Sequence, residues 1–396
     1  MKKILAIMVA LVICAVIFSL TTRIDLGENA QGSIKGKIQE IFSGDEVETN
    51  VDSLDFQAEF GGKTMYYYNN LDDSLKEHYI TLYKVVKDFE STCKLELSQS
   101  NADKVYLAVY FDNPELFWMN SNYKYTENKN YVSISLEYKN TKEEAEALTN
   151  SLNKKVNELI EESQKYSTAF EKEKFFHDYI CLNTVYDEST LGNFGGTAYY
   201  PLLNGKAICE GYARAMQLLL DKAGIENYLI VGDATSDGTT EAHMWNIVNI
   251  NGKNYHLDVT WDDSDDTDEI SYLYFNVTDF DILYDHSKLS PENNNCIYTD
   301  DNYFVKSNRY LYSFNGYDEL TTVTAEALKS GRNYIEFRFD KKSDYNRAVS
   351  VLENDNKFFS FVRSAVKKSG RKLAVDNIEY INVDSLNYIC LVFVEE

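Results

Sequence analysis

Gly205-Lys-Ala-Ile-Cys-Glu-Gly-Tyr-Ala213 sets a cysteine on the threshold of a helix. From Glu210 to Ala223 there is no proline and a single early glycine, Gly211. Ala213, Ala215, Met216, Leu218, Leu219 and Leu220 make this run a mostly buried helix, and Gly224 follows as a left-handed stop. Cys209 therefore lies in or beside the first turn. Unpaired backbone N–H groups and the helix dipole there favour an anion, and so the thiolate, the reactive form of cysteine. A small buried cysteine packing at a helix start is common, so the function turns on what faces it.

Two downstream segments supply the candidates, His243-Met-Trp-Asn246 and Tyr255-His-Leu-Asp-Val-Thr-Trp261. Ala242–Ile250 and Lys253–Trp261 read as two strands around Asn251-Gly252, a strong hairpin signal. With those two residues as the loop, Ile250 faces Lys253, Trp245 faces Asp258 and His243 faces Thr260. His243 and Asp258 then share a face as diagonal neighbours, close enough for an imidazole and a carboxylate to meet. That face also holds Asn249, Asn254, His256 and Thr260, more polar groups than a core-filling face needs. The other face, with Met244, Val248, Ile250, Tyr255, Leu257, Val259 and Trp261, is the one expected on the core. Thiol, imidazole and carboxylate in this order are the equipment for nucleophilic acyl transfer.

From about Glu171 to Asn276 the chain resembles the transglutaminase-like superfamily of papain-like cysteine enzymes, most nearly the bacterial secreted branch related to the kyphoscoliosis-peptidase type. The matching pieces are Phe176-His-Asp-Tyr179 with Tyr186-Asp187, Leu203 through Arg214, His243-Met-Trp-Asn246, Asp258-Val-Thr-Trp-Asp262 and Tyr274-Phe-Asn276. The resemblance implies Cys209 as nucleophile, His243 as base and Asp258 as the group orienting His243. It implies an α+β fold whose papain-like core packs a cysteine-bearing helix on an antiparallel sheet carrying the histidine and the aspartate. Tyr200, Glu210, Trp245 and Trp261 are expected to line the substrate site. Members of the superfamily hydrolyse peptides, cross-link glutamine to amines, cleave glycan–asparagine amides or serve as scaffolds without activity, so the resemblance leaves the reaction open.

The formal charge of −24 argues against nucleic acid or an anionic membrane surface as partner. An acidic surface more naturally admits neutral or basic substrates, although solubility alone also accounts for it. Met1-Lys2-Lys3 followed by an apolar run from Ile4 to Leu20 reads as an export signal or, uncleaved, as an N-terminal membrane anchor. Six cysteines show no CxxC and no zinc-finger spacing. Cys93, Cys181, Cys296 and Cys390 read equally as disulfide partners or as buried thiols. A zinc site from His243, His256 and Asp258 is the competing chemistry, but its spacing fits no standard ligand set, and neither metal nor cofactor is expected.

Along the chain, residues 1–22 are the signal or anchor and 23–62 a polar linker with a short helix near Ile34–Ile41. Residues 63–145 form a small α+β domain, with a helix from Asp72 to about Phe89, an apolar piece over Ala102–Tyr110 and a strand over Tyr131–Tyr138. Its Tyr66-Tyr-Tyr68, Tyr123 and Tyr125 would serve a carbohydrate or peptide groove, or simply the edges and core of a chain with 31 tyrosines. Residues 146–299 are the catalytic domain, and a long surface helix over Thr141–Ser163 runs across its start. The domain contains a helix at Phe170–Asn183, a glycine-rich loop at Leu191–Pro201 and an acidic loop at Asp262–Glu269 that lacks an EF-hand pattern. Residues 300–396 form a small α/β domain with strands at Asn333–Asp340, Ile378–Val383 and Tyr388–Val394 and a helix at Lys357–Ser369. The expected function is an exported amide acyl hydrolase or transferase that forms a thioester at Cys209. Its partner would be a protein or peptide amide, cell-wall associated in one reading. The alternative is a catalytically retired scaffold or binding module on the same fold.

Overall fold

Asn251 and Gly252 both carry positive φ, 55° and 81°, the pair of left-handed residues that a two-residue hairpin with the sheet's own twist requires. Around them β7 (Thr239–Ile250) and β8 (Lys253–Leu257) pair with Ile250 opposite Lys253 and Ile247 opposite His256. Asn249 Oδ1 fastens the turn by accepting from the Gly252 N–H at 2.9 Å. The computed structural model describes residues 59–394, apart from 193, 237, 264–268, 292–293, 315, 354 and 377. The export segment, the helix expected near Ile34–Ile41, almost all of the linker and the middle of the acidic loop lie outside the described residues.

The fold is α+β, and the elements precede the hairpin in a simple order. They are α1 (Tyr66–Asn69), α2 (Asp73–Lys87), β1 (Thr92–Leu95), α3 (Gln99–Asp112), β2 (Lys124–Glu127), β3 (Val132–Ser135), α4 (Lys142–Ser163) and α5 (Ala169–Asn183). Then come β4 (Val185–Tyr186), α6 (Tyr199–Asn204), β5 (Lys206–Ala207), α7 (Cys209–Lys222) and β6 (Asn227–Ser236). α3 stops at Asn113, one residue before Pro114, as a proline demands. α4 and α5 each begin with a capping box, Thr141 with Glu144 and Thr168 with Glu171. The expected loop at Leu191–Pro201 ends early, since Tyr199–Pro201 already belong to α6.

After the hairpin follow α8 (Val259–Asp262), β9 (Phe275–Val277), α9 (Asp279–Ile282) and β10 (His286–Ser290). The central sheet has the order β10-β6-β7-β8-β9 and is antiparallel throughout. α7 packs across β7 and β6. Its Ala213, Met216 and Leu220 share one apolar core with Met244, Val248 and Leu257, the sheet face expected there. The same core takes in Phe60, Leu82 and Val105, so the N-terminal helices are packed continuously onto the Cys209 helix. The opposite sheet face is closed by a smaller core of Ile230, Trp245, Ile247, Val277 and Ile282.

The remaining segments are α10 (Tyr303–Lys306), β11 (Tyr310–Leu311), α11 (Tyr317–Lys329), β12 (Tyr334–Phe339), α12 (Lys342–Leu352), α13 (Asp355–Ser369), β13 (Glu379–Val383) and β14 (Tyr388–Val392). Their strands form a four-stranded sheet in the order β11-β12-β14-β13, with its own core. β14 divides its alternating side chains between two cores: Ile389 and Leu391 to this one, Tyr388 and Cys390 to the main one. Among the described residues no helix is long and apolar enough to cross a membrane.

Candidate active site

Cys209 is the first residue of α7 and is 5% exposed. Ile208 ahead of it gives its N–H to the Gly195 carbonyl at 3.1 Å, so the glycine-rich loop lies directly against the helix start. That approach explains Gly211. A Cβ there would run into the Gly195 carbonyl and the Ala207 methyl, and only a residue without one lets loop and helix meet.

His243 stands in the middle of β7, opposite Gly232 of β6. A Cβ at Gly232 would come within 2.8 Å of the Trp245 ring and 2.5 Å of the Ser287 carbonyl, so this position leaves room for the groups that pack behind His243. His243 Nε2 lies 2.7 Å from Asp258 Oδ2, which leaves Nδ1 for the Cys209 thiol that hydrogen-bonds to the ring. The structure thus brings Cys209, His243 and Asp258 together. It corrects one step in how they get there. β8 ends at Leu257, and Asp258 is the N-cap of α8, not a strand residue. Asp258 Oδ1 accepts the N–H groups of Thr260 at 3.0 Å and Trp261 at 3.3 Å, so leaving the strand fixes the carboxylate by capping.

A fourth participant escaped the sequence reading. His286, the first residue of β10, places Nε2 3.1 Å from the same Asp258 Oδ2 and Nδ1 2.6 Å from Asp285 Oδ1. Ionised carboxylates only accept, so an imidazole with both nitrogens on carboxylates must donate from both and carries a positive charge. Burial by itself would lower the pKa of His286, but Asp258 and Asp285 raise it to about 9. Burial likewise opposes the charge on His243, and Asp258 with Cys209 overcomes it and raises that ring to about 9. Asp258 is fully buried, which alone would raise its pKa, yet the two imidazoliums hold it well below the ordinary carboxylate range. Four donors converge on its two oxygens, the full capacity of a carboxylate. The arrangement is an ordered hydrogen-bonded line of thiol, imidazole and carboxylate, suited to proton exchange at sulfur.

A cavity of about 260 Å³ opens beside His243, with Tyr186, Thr239, Glu241, Thr260 and Trp261 among its walls. Strand parity puts Trp261 on the core face of the hairpin, but as part of α8 it is in the cavity wall. Glu210 is not: one residue past Cys209, it turns into the protein body, accepting from Tyr110 Oη at 2.6 Å and Arg214 Nε at 2.9 Å. Trp245 is also no wall of the cavity. It is 1% exposed, stacks behind His243 and donates Nε1–H to His256 Nδ1 at 3.0 Å. Tyr200 packs beside Phe194 and Tyr199 on α6.

Part of the hairpin's polar face is thus buried under the smaller core. His256, wholly buried, places Nε2 2.9 Å from Asp279 Oδ1, and burial lowers its pKa. The zinc set His243, His256 and Asp258 is not assembled. Among the described residues, the groups close enough to share an ion are His243, Asp258 and His286, and His256, Asp279 and Cys296. A further buried contact joins His177 Nε2 to Asp262 Oδ2 at 3.2 Å and pins α8, and with it the Asp258 cap, to α5.

Residues 154–259 match the model of the transglutaminase-like superfamily, so the chain contains a transglutaminase-like domain. The match is to the superfamily as a whole and not to a branch such as the kyphoscoliosis-peptidase type. Among solved structures, a TGase is 17% identical with a TM-score of 0.25, over 46% of this chain and 54% of that one. A candidate cysteine protease from Cytophaga hutchinsonii is 13% identical, TM-score 0.23, over 35% of this chain and 61% of that one. A candidate protease from Parabacteroides distasonis is 16% identical, TM-score 0.21, over 35% of this chain and 30% of that one. The chain thus spans about half the length of the TGase it matches. No curated protein matches it significantly.

Proposed function

We propose that the protein is a cysteine-dependent amide acyl hydrolase acting on a peptide or protein, with Cys209 as nucleophile. The observation that carries this reading is the bonded sequence Cys209–His243–Asp258, with the sulfur at a helix N-terminus. In the first step the Cys209 sulfur attacks the amide carbonyl carbon. The oxyanion that forms is met by the Cys209 backbone N–H at the first turn of α7. As the C–N bond breaks, His243 gives its proton to the departing amine, leaving a thioester. Water then attacks the thioester while His243 takes a proton from it, and the acid departs as the thiol is restored. Asp258 holds the ring by Nε2 throughout and offsets its charge.

Water is the acceptor in this reading because it is the default nucleophile once a thioester stands at a cleft. The lysines and apolar run at Met1–Leu20 support export, and we place the activity at the cell surface or outside the cell. The test is a screen of a peptide library for cleavage, and for incorporation of a labelled primary amine, with wild type and Cys209→Ala side by side. Cleavage by wild type alone is the expected result. Amine incorporation exceeding cleavage would move the assignment to transamidation, and product formed by Cys209→Ala would remove Cys209 from the chemistry.

A further inference from the structure

Glu241 lies two residues before His243 on β7, on the same face of the strand and in the wall of the same cavity. It is 9% exposed, and its Oε1 is buried without a hydrogen-bond partner. In the short turn Glu188–Thr190, two residues after the cavity-wall Tyr186, Glu188 also has a buried Oε1 without a partner, and its charge acts on Glu241. Among the described residues the cavity walls include no lysine and no arginine. Buried carboxylate oxygens are almost always satisfied, because withdrawing them from water is costly. Here two neighbouring ones point to a partner that arrives from outside.

We infer that this cavity is a subsite for a lysine or arginine side chain of the peptide acyl donor, its cation held by Glu241 with Glu188 adding to the field. The inference rests on Cys209 being the nucleophile, since that is what makes the cavity beside His243 a substrate subsite. Tyr186 and Trp261 in the walls suit the aliphatic stem of such a side chain and the face-on approach of a cation. Burial and the charge of Glu188 raise the pKa of Glu241, opposed by His243, which is the condition of a carboxylate awaiting a counter-charge. The chemistry also separates a recognised cation from an attacking amine. An amine must be neutral to attack a thioester, and paired carboxylates hold it protonated, so the site fits a group that is bound and not one that reacts. The protein's charge of −24 favours the approach of basic peptides.

The test uses the full chain carrying Cys209→Ala, with fluorescein-labelled peptide amides. Each position is fixed in turn as Lys, Arg, norleucine, Gln or Glu, and binding is read by anisotropy. At one position Lys and Arg should bind about tenfold or more tightly than norleucine and Gln, the range of a charge-assisted hydrogen bond. Glu241→Gln in the same background should erase that preference, and Glu241→Lys should invert it in favour of Glu. Melting curves establish that each variant folds, and Glu241→Asp should restore a partial preference. No position with a basic preference, or a preference unchanged by both Glu241→Gln and Glu241→Lys, overturns the proposal. Competition by free hexylamine, with no discrimination among peptides, also overturns it and makes the cavity an acceptor-amine site. Turnover of the same peptides by the wild type separates the two readings. Selective binding without turnover sinks the hydrolase reading and leaves the subsite standing, whereas turnover without selectivity does the reverse.

Discussion

His286 Nε2 and His243 Nε2 reach the same oxygen of Asp258, at 3.1 and 2.7 Å. One carboxylate therefore restrains two imidazoles, and Asp285 restrains the second from its other side. His286 acts through Asp258 and is a positioning residue in this account. It keeps the carboxylate ionised and aimed while sharing its charge with His243.

Removing His286 should change the pH response and not only the rate. Both rings are raised from 6.5 to about 9 in the folded protein. The stability they contribute is therefore complete below about pH 6.5 and is lost as pH rises through about 9. Melting temperature should decline over that window in the wild type, and the decline should be shallower in His286→Gln. That variant leaves Asp285 and half of Asp258 without a charged partner, so it should also lose about 3–5 kcal/mol. An unchanged slope across the window would mean that His286 does not carry the proton.

Activity should fall as pH rises through about 9, where His243 gives up its proton. An unprotonated ring cannot supply the leaving amine or support a thiolate. In His286→Gln, Asp258 serves His243 alone, so the alkaline limb of kcat/KM should move upward. A limb at the same pH, or a lower one, would remove His286 from the positioning role.

Much of this site was legible in the sequence, for reasons that can be traced residue by residue. The helix start at Cys209 and the Asn251-Gly252 turn are local signals, and the turn fixes the register that places His243 near Asp258. The strand was read too long because Asp258-Val-Thr-Trp261 alternates plausibly, while the competing signal, an aspartate capping its own following N–H groups, is equally local and prevailed. His286 was out of reach. It lies 28 residues after Asp258, and β10 joins the far edge of the sheet beside β6, a pairing that nothing near it in the chain announces. Glu210 and Trp245 were expected in the cleft from their neighbours in sequence. One step along a helix rotates a side chain away from Cys209 toward Tyr110, and a strand's other face is not always solvent.

Cys209 should alkylate faster than any other described cysteine when folded protein meets iodoacetamide near neutral pH. Burial pushes the thiol of Cys93 up to about 12, and burial outweighs His177 to push that of Cys181 up to about 11. Burial also raises Cys296 and Cys390 well above the ordinary range. All five are buried and none is in a disulfide, so the contrast reports the helix start and the imidazolium more than access. Residue-resolved mass spectrometry reads the order, and labelling of Cys209 no faster than Cys93 would contradict it.

Asp258→Asn should cost on the order of a hundredfold or more in turnover, short of the complete loss in Cys209→Ala. The amide oxygen can still accept from one group, but its NH₂ faces donors wherever it points. A destabilisation of about 1–3 kcal/mol should accompany the kinetic loss. Wild-type turnover in Asp258→Asn would remove the carboxylate from the mechanism.

The measurement that bears most directly on the central claim is capture of the acyl-enzyme. Full-length protein is mixed with a peptide found in the cleavage screen, quenched in acid within the first turnover and mapped by mass spectrometry. The account predicts a mass increase confined to the peptide bearing Cys209, discharged by hydroxylamine as a thioester must be, and absent from Cys209→Ala. Turnover with the adduct on another residue, or with equal product from Cys209→Ala, would contradict it.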